Sequence, residues 1–153
     1  PITESSPTSE EPAELSQDGT GEFAYEHDLR DFLAKNLQLV EPGLSLFSYE
    51  GITGVEFPVG GRFIDLLALD MSGNYVVIEL KVSKGYDRVV GQLLRYMNWI
   101  QLNQADEGQG VRGIIIAKNI SEDLRLACAG LPNVALAEYK LAVSISPVAG
   151  LNA

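Results

Sequence analysis

The chain has 153 residues, 46% of them apolar, which fits one soluble domain with a core of its own. No apolar run is long enough to span a bilayer, no secretory signal precedes the first helix, and the lone Cys128 excludes an internal disulfide or a zinc cluster, so the cytoplasm is the expected compartment. The net charge of −10 neither requires nor excludes a nucleic-acid partner: residues 1–22 hold six acids and no base, leaving fifteen acids against eleven bases elsewhere.

Residues 1–21 are rich in Pro, Ser, Thr, Glu and Gly and are expected to form a disordered acidic tail or linker. The first residue is Pro1 rather than Met, which suits a piece of a longer protein. The spacing of Phe23, Leu29, Phe32, Leu33 and Leu37 predicts a helix over about 22–36, with Asp28, Arg30, Asp31 and Lys35 on its solvated face and Asp31–Lys35 as an i,i+4 pair. After the Glu41-Pro42-Gly43 break, strands are expected near 44–49 and 55–59. Gly60-Gly61 turns into a strand at 62–69, and a second turn at 70–74 leads to another at about 75–82, which together make an antiparallel meander.

A second helix follows over about 86–102, with Met97 and Trp99 as packing residues. Val111–Ala117 is a continuous apolar run, as in a strand buried on both faces. Ser121 caps a helix with Glu122 and Asp123 in its first turn, and Cys128 fits its apolar pattern as a buried small side chain. A last strand is expected over about 134–145. Strand–helix–strand implies a parallel, right-handed crossover. The fold class is therefore α/β: a mixed β-sheet, antiparallel meander plus parallel crossover, flanked by helices.

Chemistry is marked by polar residues where burial makes them costly. The run Phe63–Leu69 is apolar on both faces except at Asp65, and Tyr75–Lys81 is apolar until Glu79. An ionised carboxylate there needs a cation or hydrogen-bond donors. Residues two apart on a strand share a face, so Lys81 accompanies Glu79, and the meander can bring Asp65 beside them. Two close carboxylates suit a hard divalent cation such as Mg²⁺ (or Mn²⁺), which takes oxygen ligands and keeps waters for a substrate phosphate. Lys81 adds positive charge where an attacking water or phosphate sits. Glu26 lies on the apolar stripe of the first helix, as an acid that wants such a partner. On the second helix Arg88, Gln92, Arg95 and Tyr96 share a face; with Lys84 and Lys81 they form the densest basic stretch, a candidate phosphate track. The only histidine, His27, points about 100° away from Glu26 and is expected at the surface.

The segments Gly61-Arg62-Phe63-Ile64-Asp65, Val77-Ile78-Glu79-Leu80-Lys81 and Gln92-Leu93-Leu94-Arg95-Tyr96, with Glu26 upstream, resemble the NucS-type endonucleases of the PD-(D/E)XK, restriction-endonuclease-like superfamily. The resemblance covers about 22–145 and implies a nuclease domain over 22–147, with 148–153 as a flexible C-terminus. It implies that Asp65, Glu79 and the Leu80 carbonyl hold the metal and that Lys81 orients water or offsets charge. Glu26 would support the metal site, Gln92 and Tyr96 would line it, and Arg62 and Arg95 would contact phosphate. Family members cleave DNA at branched, single-strand-bearing or mismatched sites. They carry an N-terminal DNA-binding and dimerising domain that is not among these residues, so a homodimer or a preceding domain is an expectation.

The function expected is thus metal-dependent hydrolysis of DNA phosphodiesters, with DNA as partner and no membrane. The alternative is a non-catalytic DNA-binding or assembly module on a nuclease fold, against which the intact acid–acid–lysine set speaks. A carboxylate-pair glycosidase is disfavoured by Lys81 and by the lack of an aromatic cleft.

Overall fold

A computed structural model describes residues 20–82 and 87–150. The elements in order are α1 (Thr20–Ala34), a 3-10 turn (Leu37–Leu39), β1 (Ser45–Leu46), β2 (Ser48–Tyr49), β3 (Ile52–Thr53), β4 (Val55–Val59), β5 (Arg62–Leu69), β6 (Tyr75–Lys81), α2 (Asp87–Asn103), β7 (Val111–Ala117), α3 (Glu122–Cys128) and β8 (Val134–Glu138). The tail expected over 1–21 falls almost wholly outside the described residues. No helix among the described residues is long and apolar enough to cross a membrane.

The meander forms as its turns dictate, β4 with β5 and β5 with β6, all antiparallel. Parallel pairing then adds β7 to β6 and β8 to β7. β6 is thus central, with all residues from Tyr75 to Leu80 buried, which is why its sequence is apolar on both faces. Val76, Ile78 and Leu80 pack with Leu66, Ile114 and Ile116 under Leu29 and Leu33 of α1. Tyr75 and Val77 face the other way, with Ile115, Leu93, Tyr96 and Ile100 of α2 and Leu124 and Cys128 of α3. Period two therefore carries Glu79 and Lys81 to the α2 side. Gly113 lets α2 lie close on β7, since a Cβ there would stand 2.7 Å from the Met97 sulfur and 2.8 Å from a Leu93 methyl.

Several elements differ from their expected bounds. The first helix stops at Ala34, because Asn36 leaves helical geometry and Leu37 is buried from a 3-10 turn instead. Phe32 is 53% exposed, off the packed stripe of Leu29 and Leu33. The strand expected over 44–49 breaks at Phe47, whose N–H donates to the Leu67 carbonyl while its own carbonyl accepts from Gly54. β2 leaves the main sheet there and pairs with the short β3. A Cβ on Gly54 would sit 2.0 Å from the Leu67 carbonyl oxygen, so this three-way junction admits only glycine. The last strand ends at Glu138 and not near Ile145, because its partner β7 ends at Ala117, whose carbonyl takes the Tyr139 N–H as the final bond. Residues 140–149 have no regular structure, and Leu141, Val143 and Ile145 are exposed. Cys128 is buried, as its pattern implied, and α3 is capped by Ser121, whose Oγ accepts the Leu124 N–H at 3.1 Å.

Candidate metal centre

Alternation fails at one place in the meander. Val55 and Phe57 of β4 pack on opposite layers, as do Ile64 and Leu66 of β5, although each pair is two residues apart. The ladder between β4 and β5 skips the Glu56–Asp65 position, where Glu56 has φ +52°. The ladder between β5 and β6 stops one step short of Asp65, at Leu66 and Ile78. Left-handed backbone at a non-glycine residue costs roughly 1–3 kcal/mol and is found where strands are bent to aim side chains.

Asp65 and Glu79 fill the gap with each other's backbone. Glu79 Oε2 accepts the Asp65 N–H at 3.1 Å, and Asp65 Oδ2 accepts the Leu80 N–H at 2.8 Å. The carboxyl of Glu26, from α1, lies within hydrogen-bonding reach of Asp65. Around them is a cavity of about 260 Å³ lined by Glu26, Asp65, Glu79, Leu80, Lys81, and by Arg88 and Gln92 of α2. Seven residues singled out in the sequence thus converge where β5 and β6 separate.

The electrostatics follow from burial. Glu79 is 5% exposed, and its carboxyl is held well above the usual range by desolvation and then by the negative charge of Asp65. Burial pushes Asp65 up to about 6 against the opposing pull of the Leu80 N–H and the Arg30 guanidinium. Burial and the neighbouring Asp65 push Glu26 up to about 7, against the positive charges of His27 and Lys81. Three carboxyls that resist ionising together are a place where a cation is strongly favoured.

Among the described residues no three His, Cys, Asp or Glu side chains are already gathered into a metal cluster. Mg²⁺ does not need one, since it binds through one or two carboxylates and completes its shell with water and substrate oxygens. Asp65 and Glu79 each hold one oxygen against a backbone N–H, and the hard oxygen donors on the cavity wall, with the Leu80 main chain beside them, fit such an ion.

Other expected residues stand further out. Tyr96 is buried behind the cavity and accepts from Gln92 Nε2 at 3.0 Å; burial raises its phenol pKa. Arg62 and Arg95 are exposed and do not line the cavity, though the Arg62 charge is felt at Tyr96. Lys84 lies outside the described residues.

Arg30 overturns its assignment to a solvated face. It is buried, bound to Glu56 at 2.8 Å and to Asp31 at 2.9 Å, so Asp31 pairs with Arg30 and not with Lys35. Its charge reaches Asp65. His27 is half-buried beside Glu56, at 3.8 Å. Arg30, whose positive charge stands behind Asp65, and Glu56, which holds Arg30 there, are missed by sequence reasoning because nothing local marks the kink at Glu56. Phe63 and Val89 also line the cavity and carry no sequence signal.

Comparison with known proteins gives the family and the fold. A family profile described as the endonuclease NucS C-terminal domain matches residues 25–130. Endonuclease NucS 2 of Halobacterium salinarum is 32% identical over 122 residues, covering 78% of this chain and 45% of that protein. Endonuclease NucS of Methanopyrus kandleri is 27% identical over 103 residues, covering 67% and 36%. Among solved structures, an EndoMS complex with double-stranded DNA superposes with TM-score 0.61 at 23% identity over 75% of this chain and 44% of that one. A repair endonuclease from Pyrococcus abyssi gives 0.56 at 23% identity over 90% and 49%. The chain spans between a third and a half of the length of these relatives. With its mixed sheet, its split β5–β6 ladder and a profile match over most of its length, this chain belongs to the NucS endonuclease C-terminal domain family.

Proposed function

We propose that the chain is the nuclease domain of a metal-dependent DNA endonuclease that hydrolyses phosphodiesters in branched, mismatched or single-strand-bearing DNA. The observation that carries this is the reciprocal clasp of Asp65 and Glu79 across an opened ladder, with Lys81 on the same cavity wall. Membership of an endonuclease family and a fold shared with a protein solved on double-stranded DNA support it. Asp65, Glu79 and the Leu80 carbonyl are the ligands for Mg²⁺ or Mn²⁺, which when bound supplies an activated water and offsets phosphoryl charge. Lys81 holds positive charge at the scissile phosphate, and Glu26 orients water beside it. Arg88 and Gln92 contact the phosphate and sugar from α2, with Gln92 steadied by Tyr96.

Cleavage of labelled mismatched, flapped and single-stranded DNA, with Mg²⁺ or Mn²⁺ and with EDTA, tests the reading. Glu79→Gln, Asp65→Asn and Lys81→Met should each lower the rate on the order of 10²- to 10³-fold. Cutting by Glu79→Gln at the wild-type rate, or cutting that persists in EDTA, overturns the site. DNA binding with no cleavage under any divalent metal would mark a non-catalytic module instead.

A further inference from the structure

A second and larger cavity, of about 600 Å³, lies by the same helix and the same end of the sheet as the first and takes no part in the chemistry above. Its walls include Tyr25, Lys118, Glu138, Tyr139 and Lys140. The two cavities share one helix: Tyr25 opens on the larger and Glu26 on the smaller. They also share one edge of the sheet. Lys81, Ala117 and Glu138 lie in register across the parallel strands β6, β7 and β8, so Lys118 and Tyr139 are the residues that next leave that edge. At about 5 Å per strand, Tyr139 stands on the order of 10 Å from Lys81 along this edge, the length of two or three stacked nucleotides.

The lining has the composition of a single-strand track. Lys118 and Lys140 are exposed, and neither is in an ion pair among the described residues. The one acid, Glu138, is turned to the chain itself: its Oε2 accepts the Ile120 N–H at 2.9 Å and fixes the loop that carries Lys118. Tyr25 and Tyr139 are half-buried, and the two phenols are close enough to feel each other electrostatically. Lysine on phosphate with an aromatic ring on a base binds single strands without regard to sequence. Paired bases cannot reach half-buried rings, so a duplex would use the lysines alone.

We propose that this cavity is a second nucleic-acid site, holding the unpaired strand that leads away from the cut phosphate, with Lys118 and Lys140 on its phosphates and Tyr25 and Tyr139 against its bases. The inference takes from the preceding reading only that the neighbouring cavity receives a nucleic acid.

The test is fluorescence anisotropy of labelled oligothymidylate and of a blunt duplex, in EDTA so that nothing is cut, with the full chain and its variants. The Lys118→Ala/Lys140→Ala double variant should bind the single strand about tenfold more weakly at low salt. The slope of log affinity against log salt should shrink by about 1.4, the share of two phosphate contacts on a single strand. Tyr139→Ala should lose roughly tenfold while Tyr139→Phe keeps wild-type affinity, because stacking needs the ring and not the hydroxyl. Lys35→Ala, remote from both cavities, should change affinity less than twofold. Wild-type affinity and slope in the double lysine variant overturn the proposal, as does a Tyr139→Ala loss as large on blunt duplex as on the single strand, or a wild-type chain that does not bind single strands. If the wild type binds and shows these losses yet cuts no DNA with metal, the cavity assignment stands and the nuclease reading falls.

Discussion

At the scale of single residues, the carboxyl trio sets a pH dependence opposite to that of ordinary surface acids. Burial raises Asp65 to about 6 and Glu26 to about 7, and Glu79 shifts the same way. In the unfolded chain these groups ionise near pH 4 to 4.5. Between those limits the folded state holds more protons than the unfolded one, so stability falls as pH rises. The metal-free protein should therefore melt at progressively lower temperature from about pH 5 to pH 8. Mg²⁺ or Mn²⁺ should restore Tm most at pH 8, where the carboxyls are most frustrated. Scanning calorimetry across that range in EDTA and in metal decides it, and a metal effect that is flat with pH would contradict it. A second expectation concerns Glu56, which holds the buried Arg30 behind Asp65. Glu56→Ala leaves that guanidinium with the exposed Asp31 as its remaining ion-pair partner among the described residues and should cost about 1–3 kcal/mol, seen as a lower midpoint in urea.

At the scale of elements, the junction of β1, β3 and β5 rests on Gly54. Gly54→Ala drives a methyl group into the Leu67 carbonyl and should destabilise by about 2 kcal/mol or more, measured by chemical denaturation. A neutral result would mean that β5 can shift. Much of this scale was legible in the sequence. The meander, the crossover and both long helices follow from turn residues and periodicity, and Asp65, Glu79 and Lys81 stood out because a charge in an apolar run has few innocent uses. The early end of β8 was not legible, since Leu141, Val143 and Ile145 continue the alternation and only the length of β7 stops the pairing. Arg30 was misread because its burial is decided by Glu56, a residue from a distant strand in an unusual backbone conformation. Lys118 and Lys140, twenty-two positions apart, meet only because β7 and β8 end together.

At the scale of the whole molecule, the charge is the question. The chain carries −10, yet five of its acids lie within residues 1–19, ahead of α1. Like charges repel DNA over about a Debye length, roughly 10 Å at 0.1 M salt, and more at lower salt. Removing residues 1–19 should raise affinity for DNA several-fold at about 50 mM salt, and the difference should vanish near 0.5 M. Equal affinity of both chains at low salt would show that these acids stay clear of the binding face.

The clasp between Asp65 and Glu79 has a practical corollary. Each acid is tied to the amide proton of the neighbouring strand, so the Asp65 and Leu80 amides sit one bond from whatever the carboxylates hold. Their NMR resonances are built-in indicators of occupancy, and they distinguish an ion seated between the strands from one adsorbed elsewhere on an acidic surface.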